Sequence, residues 1–568
     1  MPDVPSVPYA SYVAVTTASD LTRLSERPPR PRRLPASAPA GRWRRWADPR
    51  NPVTAATLLA AALHLVWALF LAAEGGDLAA QNAWTYFARH HPDSPYSLFW
   101  YGGMHPPSYS VLSPYLMAWA GIRTVACITG TLSATLTAYL LVRFKAPLTL
   151  PAALWAAFSL SCNAAAGRVT FGLGLFVALI AAVVAFSRRG TALTRGAALT
   201  GLTVLTTLAS PVAGLFVMVL AAALFLTGRR LDGCALAAGP PLVVGATTLL
   251  FPFKGVQPIS FTTVVLPTLA SVVAIVLCAP RRWRTVRAGA AVYLVGIVLT
   301  FLIPSPVGSN VERLALMFGG VLLLCAMAVV RDRRRLAVLG AAFAVTAVWQ
   351  VVKPVDDLIH TRPAMAAARH SDELVAELLR RGADRGRVEV VPLRSHWEAS
   401  GLGRRVVLAR GWNRQVDADR NALFYDGTLT PAAYRAWLLR WGVRYVVLPE
   451  VETDWSAERE AELIREGQPW LREVWRDEHW RLFTVVDPQP LADPPAAVVR
   501  ITADRLVLDV PRGGASPLVR VFWSPWLAVQ GPDGACLSRD GDFTRLHTTR
   551  PGRYTIRARY RLPRGAAC

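Results

Sequence analysis

The chain has 568 residues, of which 53% are hydrophobic, and its 62 Lys and Arg residues outnumber its 38 Asp and Glu residues, giving a formal charge of +24. This length excludes a single small domain. A basic chain of this size suggests nucleic-acid binding, but only 18% of the residues are charged and the mean hydropathy is +0.32, which favours a membrane protein.

Residues 1–52 are rich in Pro and Arg and lack the apolar core of a signal peptide, so they predict a disordered basic cytoplasmic tail. Eleven apolar runs follow, and nearly all are long enough to cross a hydrocarbon core of about 30 Å. They are residues 54–73, 122–142, 148–164, 169–187, 196–209, 212–227, 233–251, 258–279, 286–303, 311–330 and 335–352. The sequence therefore predicts a polytopic α-helical membrane domain of about 11 transmembrane helices over residues 53–355.

The loops between these runs alternate in charge. Arginine clusters occupy every second loop, as at 281–287 and 331–335, whereas the other loops carry single cations. The run at 196–209 is short, but the clusters on both sides of 196–227 require an even number of crossings between them. By the positive-inside rule this pattern predicts a multi-pass plasma-membrane protein with a cytoplasmic N-terminus and an extracytoplasmic C-terminal domain.

The long first outer loop, residues 74–121, holds the most polar chemistry of the membrane part. Asp77 follows Gly75 and Gly76 and is placed to cap an interfacial amphipathic helix that starts at Leu78. Residues 96–119 combine aromatic residues, a Gly-Gly pair and three prolines, which favours a broken, partly re-entrant segment that lines a cavity. The alternative is that Asp77 is only a cap and the aromatic residues only an interfacial belt.

Two further domains follow the membrane part. Residues 356–490 alternate helix and strand patterns, such as a helix over 431–442 and a strand over 443–450, which predicts an extracytoplasmic α/β domain. Residues 491–568 consist of short alternating runs between Gly-rich turns, which predicts a β-rich, sandwich-like domain. The sequence leaves open whether Cys536 and Cys568, the two cysteines of this part, form a disulfide.

The helix number, the cytoplasmic N-terminus, the Asp in a long first outer loop (GGDL, 75–78) and the outer C-terminal domain together resemble the GT-C superfamily of membrane glycosyltransferases. The segments YGGMHPPSYSVLSPYL (101–116) and GWNRQVDADRNALFYDG (411–427) are similar to polytopic membrane proteins of actinobacteria. The resemblance implies a polyprenyl-phosphate sugar donor, mannosyl or arabinofuranosyl transfer in the cell envelope, and Asp77 as the base that activates the acceptor hydroxyl. The loop has no DxD or ExD doublet, so the motif does not support a divalent metal, and no other cofactor is expected.

Such a transfer needs cations at the donor phosphate and polar or aromatic groups at the acceptor. The candidates for the donor phosphate are Arg313, Arg168, Lys254 and His105. The candidates for the acceptor sugar are Trp100, Tyr101, Trp412, Asn413 and Arg414. Structural alternatives remain at this stage, because Arg313 is also placed to pair with Glu312 or to reach lipid head groups, and tryptophans also pack in cores.

The leading functional hypothesis is sugar transfer from a polyprenyl-phosphate donor to an envelope glycan or glycolipid on the extracytoplasmic face. One alternative is a transporter or flippase of a lipid-linked envelope intermediate, which would require polar sites at mid-membrane depth. Another is a non-catalytic assembly protein. The sequence predicts membrane lipid, but no nucleic acid, among its partners.

Overall fold

The computed structural model describes residues 48, 50–72, 76–187 and 190–568. The predicted disordered tail, apart from its last residues, lies outside the described residues, as do Glu74 and Gly75. Between Pro52 and Arg369 the described chain is almost entirely helical. The helices are α1 (Pro52–Val66), α2 (Gly76–His90), α3 (Pro106–Tyr109), α4 (Ser113–Ala120), α5 (Ile122–Arg143), α6 (Thr149–Ala165), α7 (Val169–Ala185), α8 (Ala192–Ala209), α9 (Pro211–Leu226), α10 (Arg230–Leu250), α11 (Leu266–Cys278), α12 (Arg284–Leu302), α13 (Arg313–Met327) and α14 (Arg333–Arg369).

Each of the eleven predicted apolar runs forms a helix, while α2, α3 and α4 belong to the first loop. Among the described residues, eight helices are long and apolar enough to cross a membrane, and α7 and α9 are shorter apolar helices. The protein is therefore a helical membrane protein, and the number of eleven spans stays a prediction. Local sequence explains the helix starts: Ser210 accepts a hydrogen bond from the Ala213 amide just before Pro211 opens α9.

The last membrane helix, α14, is much longer than a bilayer requires. Its 37 residues correspond to about 55 Å at 1.5 Å per residue, so it extends well beyond a hydrocarbon core of about 30 Å. The predicted domain boundary at residue 355 falls inside this helix rather than in a linker. As a result α14 places Lys353 and Asp357 where the membrane helices meet the C-terminal domain.

The first part of the C-terminal domain is an α/β layer. Its helices are α15 (Asp372–Arg380), α16 (Trp397–Gly401), α17 (Arg414–Arg420), α18 (Pro431–Trp441) and α19 (Glu458–Arg465), and its strands are β1 (Arg387–Val390), β2 (Val443–Pro449), β3 (Leu471–Arg476) and β4 (Trp480–Val485). The sheet order is β1-β2-β4-β3, with β1 parallel to β2 and the other pairs antiparallel. The crossover from β1 to the central strand β2 is long, covering residues 391–442, and contains α16, α17 and α18.

The second part is two small antiparallel sheets packed on one core. Its strands are β5 (Ala497–Ile501), β6 (Arg505–Val510), β7 (Leu518–Phe522), β8 (Leu527–Gln530), β9 (Cys536–Asp540), β10 (Phe543–His547) and β11 (Gly552–Ala558). The sheets are ordered β5-β6-β11-β8 and β7-β10-β9, and the shared core includes Leu508, Ile556, Val521 and Leu546. Cys536 and Cys568 form a disulfide, which answers the question that the sequence left open.

The first loop differs from its prediction. The α2 side chains Trp84 and Phe87, expected at a lipid interface, are buried in a core with Leu374 and Val388 of the C-terminal domain. Residues 96–104 form no re-entrant membrane segment but an extended turn whose Leu98 amide donates to Ala503 O at 2.7 Å. Residues 84–104 of the first loop therefore pack in the core of the C-terminal domain, whereas Leu78 and Met117 of the same loop pack against the membrane helices.

Candidate functional site

Two adjoining cavities lie where the membrane helices meet the C-terminal domain. The helix-side cavity, of about 430 Å³, is lined by the ends of α9, α10 and α13 together with α2. The domain-side cavity, of about 300 Å³, is lined by α14 and by loops of the C-terminal domain. The residues that line both cavities are Asp77, Arg168, Gln257, Lys353, Trp412 and Arg414. Asp77 therefore stands at the boundary between the two cavities.

Contacts on both sides of α2 hold its first turn, in which Asp77 is the second helical residue and not the predicted cap before Leu78. The Trp412 indole N–H donates to Gly76 O at 2.8 Å, and Gln81 donates to Gly167 O. Gly167 has φ +70°, and a Cβ there would lie 2.6 Å from the Leu78 amide nitrogen, so only glycine permits this approach. The close packing brings the next residue, Arg168, beside Asp77.

Asp77 is bound by two guanidinium groups. Its Oδ2 lies 3.5 Å from Arg168 Nε and 3.3 Å from Arg313 Nη2. Arg313, at the start of α13, also lies over the Phe171 ring, 5.3 Å from its centroid. Thus Arg313 pairs with Asp77 and not with its neighbour Glu312, which was the structural alternative at the sequence level.

A second carboxylate, that of Glu312, belongs to the same cluster of charged side chains. Glu312 is fully buried and its Oε1 accepts from Lys353 Nζ and from Arg168 Nη2, the latter at 3.4 Å. Arg168 therefore bridges the two carboxylates, Asp77 and Glu312. Such a network fixes the guanidinium orientation because each buried charge has an opposite partner.

The two cavities differ in charge. Among the described residues, the helix-side cavity is lined by four cationic side chains and two carboxylates, whereas the domain-side cavity is lined by four of each. The four cations of the helix-side cavity are Arg168, Arg313, Lys353 and Arg414, and its carboxylates are Asp77 and Glu312. Because Arg414 is already paired with Asp454, the helix-side cavity keeps three cations against two carboxylates, an excess of one positive charge that suits an anion. In the domain-side cavity the Arg and Lys side chains balance the carboxylates.

The helix-side cavity also reaches the apolar outer surface of the helices. Val244, Thr247 and Thr248, in the last turns of α10, line it, and Val244 is at the same time 45% exposed on the outer surface of that helix. A ligand that combines a phosphate with a long apolar chain can therefore place the phosphate at the arginines and the chain along α10.

On the opposite side, the C-terminal domain contributes a hydrogen-bonded group around Arg414. Arg414 donates to both Asp454 carboxylate oxygens at 2.8 Å, and His396 Nε2 lies 3.2 Å from Asp454 Oδ2. The His396 ring stacks on Trp412 with 3.5 Å between centroids. Burial opposes the charged form of His396, but the carboxylates of Asp454 and Glu398 outweigh it and raise the His396 pKa.

Trp412 and Arg414, predicted from the sequence, do line the cavities, but one face of Trp412 is covered by His396. Asn413 lines only the helix-side cavity, and its Oδ1 accepts from the Val416 amide at 3.1 Å as the cap of α17. A sugar hydroxyl that donates to Asn413 Oδ1, as predicted, would therefore compete with this capping hydrogen bond.

Four predicted site residues line neither cavity. Trp100 and Tyr101 are fully buried in the C-terminal domain, where Tyr101 donates to Gly411 O at 2.6 Å, so they support the loop and do not face a sugar. Lys254 is exposed on a loop. His105 is 5% exposed, with Nδ1 2.9 Å from Pro95 O and Nε2 3.2 Å from Ser524 Oγ, which leaves neither nitrogen for a phosphate.

Sequence reasoning missed several residues of the site. They are Lys353, Asp357, Asn163, Gln350 and Trp455, all of which line the domain-side cavity. Asn163 and Gln350 are polar residues near the ends of apolar runs, and this position is the sequence signal that indicates a candidate site. Within the described part of the chain, no group of three or more His, Cys, Asp or Glu residues is placed to hold a metal ion.

Comparison with known proteins gives a family match and several structural ones. Residues 493–568 match a domain of unknown function, DUF8823. No curated protein matches the chain by sequence. The chain is similar to the solved structure of the arabinofuranosyltransferase AftD from Mycobacteria, with 14% identity and a TM-score of 0.44 over 84% of this chain and 42% of that chain. It is also similar to ArnT from Cupriavidus metallidurans, with 13% identity and a TM-score of 0.41 over 76% of this chain and 98% of that chain.

The chain spans less than half of the AftD chain that it matches. The similarity carries no activity, substrate or partner over to this chain, whose function rests on its own site.

Proposed function

We propose that the protein is a membrane glycosyltransferase that transfers a sugar from a polyprenyl-phosphate donor to a hydroxyl group of a cell-envelope glycan or glycolipid. The observation that carries this proposal is the charge difference between the two cavities that meet at Asp77. A donor phosphate fits the positive helix-side cavity, its polyprenyl chain lies along α10, and the acceptor enters from the C-terminal domain. The arginine-rich alternate loops support a site on the extracytoplasmic face, with the N-terminus in the cytoplasm.

In the proposed reaction an acceptor hydroxyl oxygen forms a bond to the anomeric carbon of the donor sugar. The bond from that carbon to the phosphate oxygen breaks, its electron pair leaves with polyprenyl phosphate, and the hydroxyl proton moves to the Asp77 carboxylate. Arg313, Arg168 and Lys353 stabilise the additional negative charge of the phosphate.

The ion pairs of Asp77 suggest how donor binding and proton transfer are connected. Without donor, Arg168 and Arg313 both hold Asp77 Oδ2. A bound phosphate competes for the same guanidinium groups, because bidentate phosphate contacts are among the strongest that arginine forms. Donor binding would therefore free the carboxylate to accept a proton only when a donor is in place.

The test is sugar transfer in proteoliposomes that contain the full chain, a labelled polyprenyl-phosphate sugar and an envelope glycan acceptor. Loss of a general base lowers rates by about 10²- to 10⁴-fold, so the variant Asp77→Asn should form product at least about 100-fold more slowly. Its donor binding should be at least as tight as that of the wild type, because the phosphate no longer competes with a carboxylate for Arg168 and Arg313. Asp93→Asn is the matched control, because Asp93 lies in the same loop but pairs with Arg557 and Arg559. Transport of the labelled lipid without any glycosidic product, or full activity of Asp77→Asn, would refute the proposal.

A further inference from the structure

Two buried amide side chains of the membrane helices line the domain-side cavity. Asn163, near the end of α6, and Gln350, in α14, are 6% and 3% exposed and both line the cavity. The Asn163 amide nitrogen donates to Arg168 O at 3.2 Å, and the Gln350 amide lies against the Cys162 thiol. In contrast, neither Asn163 Oδ1 nor Gln350 Oε1 has a hydrogen-bond partner among the described residues.

Unpartnered buried oxygens are unusual because a buried acceptor without a donor costs free energy. Here both residues line one cavity, and the amide nitrogen of Asn163 is already engaged. An amide oxygen only accepts hydrogen bonds, so the complementary ligand must supply donors. Hydroxyl groups at neighbouring positions of one ring supply two donors a few ångströms apart.

The charges that line the domain-side cavity favour an uncharged ligand. Its four cations and four carboxylates balance, and they are largely paired with one another. Arg414 is held by Asp454, and Arg394 lies 3.5 Å from Asp356. A carboxylate or phosphate on the ligand would have to break one of these pairs, whereas a neutral polyol need not.

An aromatic ring completes this surface. Trp455 lines the same cavity and is 49% exposed, whereas the other tryptophans of the C-terminal domain are buried or half-buried. Arg414 lies over its ring, 5.1 Å from the centroid, which fixes the position of the indole. A flat, partly exposed aromatic group beside hydrogen-bond acceptors fits a ligand with one apolar and one hydroxylated face.

We propose that the domain-side cavity is a subsite for an uncharged sugar ring, whose hydroxyl groups donate to Asn163 Oδ1 and Gln350 Oε1 and whose apolar face contacts Trp455. The assignment of this ring to the acceptor rests on the proposed function, whereas the binding of a neutral sugar does not. Asn163 and Gln350 are accordingly specificity-determining residues that take no part in the proton transfer.

The experiment measures binding of simple glycosides to the full-length protein in micelles by the shift in its unfolding temperature. The neutral probes are the methyl glycosides of mannose, glucose and arabinofuranose, and the charged probes are the corresponding uronates of mannose and glucose. At least one neutral glycoside should stabilise the wild type, and its uronate should bind more weakly. The proposal is overturned if no neutral glycoside binds or if the uronate binds equally well.

The variant Gln350→Met removes the unpartnered oxygen at nearly constant volume. The glycoside Kd should rise about 3- to 10-fold, the usual worth of one hydrogen bond, while the ligand-free variant unfolds at the same or a higher temperature. Asn163→Leu is the second variant, and Gln530→Met, on the exposed edge of β8, is the control. An unchanged Kd in both cavity variants would overturn the subsite.

The failure of this subsite is distinguishable from the failure of the proposed function. Asp77→Asn should retain glycoside binding although it loses transfer. If the wild type binds neutral glycosides but never forms a glycosidic bond, the subsite stands and the transferase proposal falls. If the wild type transfers sugar but Gln350→Met leaves the acceptor KM unchanged, the transferase proposal stands and the subsite falls.

Discussion

The buried histidine His105 provides a quantitative prediction about stability. It joins the first loop to the C-terminal domain, since Nδ1–H donates to Pro95 O and Nε2 accepts from Ser524 Oγ. Burial lowers the His105 pKa from its ordinary value of 6.5 to about 4, and the positive charges of Arg420 and Arg564 act in the same direction. The folded protein therefore holds His105 neutral at pH values where the unfolded chain binds a proton.

Proton linkage determines the direction in which stability changes with pH. Because the folded pKa is the lower one, this contribution is fully present above pH 6.5 and is lost as the pH falls from 6.5 to about 4. A difference of about 2.5 pH units at about 1.4 kcal/mol per unit corresponds to about 3.5 kcal/mol. About 3 kcal/mol of this is lost by pH 4, where the folded His105 is half protonated, and the small remainder is lost below pH 4.

The assay is urea unfolding of the full-length protein in micelles between pH 4 and 7.5, followed by tryptophan fluorescence. The variant His105→Asn keeps polar groups at the site but does not titrate, so its unfolding free energy should fall by about 3 kcal/mol less than that of the wild type over this range. His360→Asn, a variant of a partly exposed histidine on α14, should follow the wild type. Equal pH dependence of His105→Asn and wild type, or a wild type that gains stability on acidification, would refute the reasoning.

Four further predictions concern the site and its support. His396 has a raised pKa, so its contribution to stability is present below pH 6.5 and is lost as the pH rises through the folded pKa. The unfolding free energy of His396→Asn should therefore lack the decrease that the wild type shows above pH 6.5. Arg313→Gln should raise the donor KM about 10- to 100-fold in steady-state transfer assays, and a change confined to the acceptor KM would contradict its role. Gly167→Ala should reduce transfer and stability together, because its Cβ meets the Leu78 amide. Cys536→Ser should destabilise the β-rich part by up to about 4 kcal/mol in chemical unfolding, as reduction of the wild type should, because the bond closes a 32-residue loop.

The membrane helices could be predicted because their signal is local. Each apolar run carries its own hydrophobic driving force, and nearly every run became a helix with ends within a few residues of the prediction. The β-rich part was predictable for a similar reason, since alternating strands and Gly-rich turns are short-range patterns. The strands β3 and β4 were missed because neither shows a strict alternation between turn residues.

The destination of the first loop could not be predicted from local pattern. The Tyr101 hydroxyl bonds a residue 310 positions away, and His105 a residue 419 positions away. The same aromatic composition suits a membrane interface, a sugar platform or a protein core. Only the packing partner decides among these, and here the partner is the core of the C-terminal domain.

By itself, the sequence determined a helical membrane part followed by an α/β and a β-rich part, and it singled out Asp77, Arg168 and Arg313 because charges are scarce beside apolar runs. The tertiary structure alone decided which of the predicted cations meet. It brought Glu312, together with its partner Lys353, to Arg168, one of the two arginines at Asp77. It also placed His105 outside the site and formed two cavities of different charge that meet at Asp77. The physical reason is that helix formation depends on neighbouring residues, whereas a cavity and its charge depend on how separate helices pack against each other and against a distant domain.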